Sequence, residues 1–174
     1  MTMPARAAWI VVSGFLLLAG EAAAQPATLG CTSTPGALGT QTLRCPTAIT
    51  IVSESGAKFE LRDRNRDGQV DSIELSSKAL LIEVPKKPGG NRFDVTTPQA
   101  IAAVRGTKWA VDAQASRTSV FVVEGSVAVR RSSGANEVVL GAGEGVDVES
   151  GTGPLEVKRW PAARVSALLA RFGQ

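Results

Sequence analysis

The chain has 174 residues, a formal net charge of +3 and hydrophobic residues at 44% of its positions. It contains no histidine and no tyrosine and only two cysteines, which excludes histidine-based zinc sets and histidine-based catalytic triads. The small basic excess and the 5% aromatic content argue against a nucleic-acid-binding protein. We therefore expect a protein that is neither an enzyme nor a nucleic-acid binder.

Residues 1–24 have the three-part pattern of a cleavable export signal. A positive charge at Arg6 precedes an apolar run from Ala7 to Gly20, which is short for a membrane span. Small residues at Ala22 and Ala24 then predict cleavage after Ala24, and an uncleaved N-terminal anchor is the alternative. No apolar run after residue 24 approaches membrane length, so we expect an exported protein with no transmembrane segment in its mature part.

The two cysteines, Cys31 and Cys45, lie in a segment rich in glycine, threonine and proline, residues 25–47. In an oxidising compartment a pair at this spacing favours a disulfide, with two free thiols as the alternative. We expect the disulfide to pin an otherwise loose N-terminal segment to a first strand at residues 48–52.

Residues 48–150 alternate between short runs rich in valine and isoleucine and clusters of glycine or polar residues. Apolar side chains recur at every second position, as in Phe93 and Val95 or Val146 and Val148, which is the period of a β-strand. The pattern predicts an all-β domain, a β-sandwich or a short β-roll. The predicted strands are Ile49–Val52, Lys58–Leu61, Val70–Leu75, Ala79–Val84, Phe93–Thr97, Ile101–Arg105, Lys108–Asp112, Thr118–Val123, Ser126–Arg130, Glu137–Leu140 and Gly145–Val148.

An acidic loop between the second and third predicted strands fits the spacing of an EF-hand calcium loop. Oxygen ligands at alternate positions surround a hard cation, and a glycine at the sixth place allows the sharp turn. The candidate ligands are Asp63, Asn65, Asp67, the carbonyl of Gln69, Asp71 and Glu74, with the turn at Gly68.

The residues that flank this loop look extended rather than helical, and a strand would carry Glu74 away from the ion. Asp71 is therefore the better closing carboxylate. The alternative is a β-hairpin that turns at Asp67 and Gly68 and binds no metal. In that case the arginines interleaved with the acids neutralise them, namely Arg62, Arg64 and Arg66.

The segment from Phe93 to Val129 resembles the FecR domain, whose usual core reads V-x-T-P-x-A-x-x-x-V-R-G-T-x-[FW]-x-V and is followed by a strand and an E-G turn. The matching residues are Val95, Thr97, Pro98, Ala100, Val104, Arg105, Gly106, Thr107, Trp109, Val111, Glu124 and Gly125. The resemblance implies an extracytoplasmic, non-enzymatic sensing or adaptor domain in a Gram-negative bacterium. It also implies signal transduction through a membrane-bound or envelope protein partner.

Membrane-bound members of that family, which control sigma factors, carry a cytoplasmic region and a transmembrane helix before the FecR domain. Only an export signal is predicted here, so we expect any signal to pass through another protein in the periplasm or outside the cell. The alternative is a calcium-stabilised structural or cell-surface β module with no signalling role.

Arg105 and Gly106 lie at the centre of the resemblance. We expect Gly106 to permit a backbone turn and Arg105 to pair with a carboxylate such as Asp94, Asp112 or Glu124, because a half-buried arginine on a strand is usually satisfied in this way. The alternative is that Arg105 contacts an anionic ligand or a partner.

Residues 151–174 change from a strand period to a helix period. Pro161 suits the first position of a helix, and the apolar side chains that follow repeat at i, i+3, i+4 and i+7. They are Val165, Leu168, Leu169 and Phe172. This amphipathic helix either covers an open face of the β domain or binds a partner.

Overall fold

The computed structural model describes residues 29–86, 92–134 and 136–174. Strands dominate them, with a 3-10 turn at Ala37–Gly39 and one short α-helix near the C-terminus, so the predicted all-β class with a C-terminal helix is confirmed. The elements are β1 (Thr32–Pro35), β2 (Gln41–Arg44), β3 (Thr50–Ser53), β4 (Lys58–Arg62), β5 (Ser72–Val84), β6 (Phe93–Thr96), β7 (Ala100–Val104), β8 (Thr107–Ala113), β9 (Arg117–Glu124), β10 (Ser126–Arg131), β11 (Glu137–Gly141), β12 (Glu144–Glu149), β13 (Val157–Arg159) and α1 (Ala162–Ala170).

The long strand β5 belongs to two layers at once. Its C-terminal half lies in a first sheet with the order β1-β2-β3-β5-β8-β9-β12-β13. Its N-terminal half lies in a second sheet with the order β4-β5-β6-β7-β10-β11, where β5 and β6 are parallel. The two sheets pack face to face around the core and form an almost closed barrel.

The sequence predicts two strands where the structure has the single strand β5. The polar residues Ser76, Ser77 and Lys78 interrupt the apolar alternation, which suggested a break. The backbone instead continues and bends, with a β-bulge opposite Lys58 and Phe59 and a positive φ of 66° at Lys78. The bend lets one strand serve both sheets.

The core between the sheets consists of the inward-facing residues that the alternating pattern marked. Trp109, Ile73, Val95 and Val122 are fully buried, at 0% exposure. Each fully buried side chain of this size stabilises the fold by about 1.5–3 kcal/mol. The signature tryptophan is thus a core residue of the scaffold.

The N-terminal segment is more ordered than the sequence suggests. β1 and β2 form an antiparallel hairpin, and β2 continues the first sheet by pairing with β3. The predicted disulfide between Cys31 and Cys45 is confirmed, and it joins the two strands at the open end of the hairpin. The two cysteines are separated by 14 positions in the sequence. Closing a loop of this length stabilises the folded state by about 3 kcal/mol in the chain-entropy model.

Helix α1 covers the outer face of the first sheet, which is one of the two arrangements considered from the sequence. Leu168 and Phe172 pack with Trp160 against an apolar patch of the sheet. The sheet residues of this second cluster are Ala79, Leu81, Ala110 and Phe121. The helix is therefore part of the folded β domain.

The predicted export signal, residues 1–24, lies outside the described residues. Across the part of the chain that is described, no helix is long and apolar enough to cross a membrane.

Candidate functional site

The acidic loop between β4 and β5 is closed by hydrogen bonds from its own backbone. The carboxylate of Asp63 accepts bonds from the N–H groups of Asp67 and Gly68, at 3.1 and 2.8 Å. The side-chain oxygen of Asn65 accepts the same Asp67 N–H at 3.1 Å. Asp67 in turn accepts the N–H of Gln69 at 2.8 Å. The first three candidate ligands are thus gathered around one tight turn.

Asp71 lies against this turn and Glu74 does not. Asp71 Oδ2 accepts the N–H groups of Arg64 and Asn65, at 3.0 and 3.2 Å. Burial acts to raise the pKa of Asp71, but these bonds, one from Ser72 and the charge of Arg64 outweigh it and lower the pKa. Glu74, on β5, accepts a hydrogen bond from the guanidinium group of Arg62 at 2.8 Å instead.

Within the described residues, no three carboxylates or cysteines converge closely enough to hold a metal ion. Backbone N–H groups and arginines occupy the oxygens of the loop, which is the arrangement expected of the hairpin alternative. Calcium binding by this loop stays a prediction, since the oxygens would have to exchange those partners for the ion.

Thr97, at the first turn of the signature, holds β6 and β7 together. Its hydroxyl accepts the N–H of Ala100 at 2.9 Å and lies 2.8 Å from the hydroxyl of Thr118 on β9. Thr118 donates to the side-chain oxygen of Gln99 at 2.9 Å, and the Gln99 amide donates to the carbonyl of Ala115. Pro98 is exposed beside this buried network. The T-P part of the signature therefore builds a polar link between the sheets.

The second part of the signature is a close contact between two turns. Gly106 and Gly125 both have positive φ, at 67° and 89°. A Cβ on Gly125 would lie 2.9 Å from the carbonyl oxygen of Gly106, so glycine is required there. Thr107 bridges the turns by donating to the Ser126 carbonyl at 2.9 Å. Glu124 is exposed beside the turn.

Arg105 does not form the ion pair expected from the sequence. It is exposed, and it pairs with no carboxylate among the described residues. Asp94 is held instead by Arg64 and Arg92, at 2.7 and 2.9 Å, and Asp112 is held by Arg171. The signature arginine is therefore available for contacts outside the domain.

Arg105 lines a shallow depression of about 330 Å³ on the outer face of the second sheet. Arg92 forms another part of its wall, and Ala103 and Ala128 are part of its lining. Val139 on β11 also lines it, and its side chain is unusually exposed for valine, at 64%. This surface has arginine and one exposed apolar residue around small side chains.

The outer face of the first sheet carries a second charged cluster, which the sequence analysis missed. Arg164 of α1 lies over the ring of Trp160, 3.5 Å from its centroid, and binds Asp147 at 2.6 Å. Ser119 donates to the same carboxylate at 2.6 Å. Arg171, seven positions further along, binds Asp112. Both arginines are engaged with the domain itself, so this cluster fastens the helix.

The i, i+7 spacing of Arg164 and Arg171 was the available sequence signal for that cluster, because it places both side chains on one side of a helix. A second signal was the presence of Asp112 in the largely apolar strand β8, and of Asp147 between two valines on β12. Neither signal names the partner, since the pairs join residues far apart in the chain.

Comparison with known proteins identifies the scaffold. The FecR protein family matches residues 35–128, which run from the end of β1 into β10. No curated protein matches the chain. Two crystal structures of a candidate anti-sigma factor from Parabacteroides distasonis ATCC 8503, at 2.50 and 1.65 Å resolution, have the same fold, with TM-scores of 0.62 and 0.60.

The chain is 21% identical to each of these structures, and the matches cover 80% and 79% of it. It spans 64% of the length of the chain in each structure.

Proposed function

Because this chain belongs to the FecR protein family, we propose that it is a regulatory domain of the bacterial cell envelope that acts by binding another protein rather than by catalysis. The observation that carries the proposal is the family match over residues 35–128, which contains the whole signature from Thr97 to Gly125. The likeness of the fold to a candidate anti-sigma factor is consistent with a regulatory role.

The disulfide supports a location outside the cytoplasm. Disulfides such as that between Cys31 and Cys45 persist in oxidising compartments and are rare in the reducing cytosol. Together with the predicted export signal at residues 1–24, this favours the periplasm or the cell exterior.

The way in which the signature is used favours protein contact over chemistry. Thr97, Gly106, Thr107, Trp109 and Gly125 build turns or the core, as their hydrogen bonds and burial indicate. Arg105 remains exposed without an ion pair among the described residues. A scaffold with a rigid core and a free arginine on one face suits an adaptor that recognises a partner.

The test is co-purification from the native bacterium. The protein carries an affinity tag after Gln174, cells are treated with a reversible cross-linker, and the recovered proteins are quantified against an unrelated exported bait. Recovery of a membrane-bound sensor or an outer-membrane receptor above the control is the expected result. Recovery of nothing beyond the control, or only of envelope polymers, contradicts a regulatory function.

A calcium-stabilised structural or surface module is the second candidate. The specific observation in its favour is that one tight turn brings together the side-chain oxygens of Asp63, Asn65 and Asp67, although backbone N–H groups occupy them in this structure. Such a module has no need of a signalling partner, so the co-purification separates the two candidates.

A further inference from the structure

We propose that the outer face of the second sheet, around Arg105, binds an acidic segment of the partner protein; this inference rests on the proposed regulatory function. We call this surface the arginine face. It is formed by Arg92, Ala103, Arg105, Ser126, Ala128, Arg130 and Val139. It lies on the layer opposite to the one covered by α1.

The strand register places these residues on one surface. Ala103 on β7 is opposite Ala128 on β10, and Ala128 is opposite Val139 on β11. Their neighbours along the strands, such as Val127, Val129 and Leu140, are fully buried in the core. Since successive side chains of a strand point to opposite faces, Ala128 and Val139 point away from the core.

The shape of the arginine face suits an inserted side chain. The alanines are small, so they leave the 330 Å³ depression between larger neighbours. Val139 stands beside it with 64% of its surface exposed. An apolar side chain of a partner would bury Val139 and the partly exposed Ala128, which is a favourable but small contribution.

The charge of the face favours an anionic partner. Arg105 and Arg130 form no ion pair within the described part of the chain, although Arg130 is opposite Glu137 in the register. Arg92 shares Asp94 with Arg64, so one carboxylate faces two guanidinium groups. Guanidinium groups bind carboxylates through paired hydrogen bonds, and an acidic segment supplies the missing acceptors.

An acidic peptide provides the direct test. The probe is a short synthetic peptide of glutamate, aspartate and leucine, and its control has lysine in place of every acid. Backbone NMR spectra of the purified protein are recorded during titration with each peptide at low salt. We expect saturable shifts at Arg105, Ala128 and Val139 with the acidic peptide only, and loss of binding near 1 M salt, where the Debye length falls to about 3 Å.

Charge reversal on the face identifies the site of binding. Arg105→Glu is expected to lower the affinity for the acidic peptide by roughly tenfold, because it replaces an attraction by a repulsion. Arg44→Glu makes the same charge change at an exposed residue of β2, in the other sheet, and is expected to leave the affinity unchanged. Circular dichroism confirms that both variants fold.

The proposal is overturned if the acidic peptide does not bind, or if the NMR shifts that it causes lie outside the arginine face. It is equally overturned if Arg105→Glu and Arg44→Glu lower the affinity for the peptide by the same factor. It is also overturned if this face binds only anionic lipid vesicles or only a second copy of the chain, as measured by vesicle flotation and sedimentation.

Co-purification with the Arg105→Glu variant separates this inference from the proposed function. Loss of the partner from the variant but not from the wild type supports the arginine face. A partner recovered equally by both leaves the regulatory function standing and removes the arginine face. A partner recovered by neither contradicts the function itself.

Discussion

Arg171, just after helix α1, holds Asp112 on β8 through two hydrogen bonds, of 2.7 Å from Nη1 to Oδ2 and 3.0 Å from Nη2 to Oδ1. The same guanidinium group binds Glu54, after β3, at 2.5 Å. One side chain thus ties the end of the helix to two separate parts of the first sheet. The pair is sheltered, because the side chain of Asp112 is only 7% exposed.

Replacement of Arg171 by methionine should therefore destabilise the domain. The change keeps much of the side-chain volume but leaves Asp112 in a buried position without its cation, which costs about 2 kcal/mol. A loss of this size lowers the melting temperature by roughly 4–8 °C in a protein of this length. Thermal unfolding followed by circular dichroism measures it.

Arg44→Met is the matched control, because Arg44 is exposed and forms no ion pair in the described residues. Its melting temperature should stay close to that of the wild type. Equal effects of the two substitutions would show that the pair between Arg171 and Asp112 contributes no specific stability.

The two aspartates beneath the helix predict a loss of stability in acid. Burial acts to raise the pKa of Asp112 and of Asp147, but hydrogen bonds from Arg171 and Gln114 to the first, and from Arg164 and Ser119 to the second, lower each pKa below its ordinary value. A carboxyl group whose pKa is lower in the folded protein than in the unfolded chain stabilises the fold at any pH above its unfolded-state pKa, about 3.9. This stabilisation is lost as the pH falls through the folded-state pKa.

We therefore expect the free energy of unfolding to stay nearly constant between pH 7 and 5 and to decrease steadily below about pH 4. Urea unfolding at a series of pH values measures this curve. The double variant D112N/D147N should be less stable at pH 7 and should show a shallower decline in acid. A decline as steep as that of the wild type would mean that other carboxylates govern acid unfolding.

The strands between Phe93 and Arg131 could be predicted almost to the residue, because short runs rich in valine and other apolar residues are separated there by glycines and polar residues that mark the turns. The hairpin of β1 and β2 could not. Its strands are built largely from threonine, serine and glutamine, with all four residues of β1 exposed, so no apolar alternation reveals them. Their pairing depends on the disulfide and on the neighbouring strand β3.

The partners of charged residues were the least predictable part. The sequence predicts that Arg105 pairs with a carboxylate such as Asp94, Asp112 or Glu124. Arginines from elsewhere in the chain hold both aspartates instead, and Glu124 is exposed with no ion pair to Arg105. Arg171 reaches Glu54 across 117 positions. Periodicity reports which face of an element is buried, but it carries no information about which distant element covers that face.

Gly145 on β12 should not tolerate alanine. A Cβ at this position would lie 2.4 Å from Cε2 and Nε1 of Trp160 and 2.8 Å from the carbonyl oxygen of Val120. Trp160 would have to leave its stacked position on Phe121, where the ring centroids are 5.1 Å apart. Such overpacking costs about 1–3 kcal/mol.

The expected signs of Gly145→Ala are a lower melting temperature and a red shift of tryptophan fluorescence as Trp160 becomes exposed. Gly153→Ala is the control, since nothing lies within 4 Å of a Cβ placed there. A G145A protein with the fluorescence and stability of the control would show that Trp160 does not require this glycine.

Calcium binding to the loop from Asp63 to Asp71 is tested by calorimetric titration of the purified protein. We expect a dissociation constant of about 0.1–1 mM, the range of extracellular calcium modules, because the turn already gathers several oxygens. At ten times the dissociation constant the ion would stabilise the fold by about 1.4 kcal/mol. The variant D63N/D67N should lose both the heat of binding and the stabilisation.

A substitution of Arg64 should have the opposite effect on calcium binding. Its guanidinium group lies 3.7 Å from Asp71 Oδ1 and its backbone N–H binds Oδ2 of the same carboxylate. Removing the side-chain charge by Arg64→Ala frees Asp71 to approach a cation, so calcium should bind several times more tightly to this variant. If neither the wild type nor R64A binds calcium at millimolar concentration, the loop is a hairpin turn that its own hydrogen bonds and arginines hold closed.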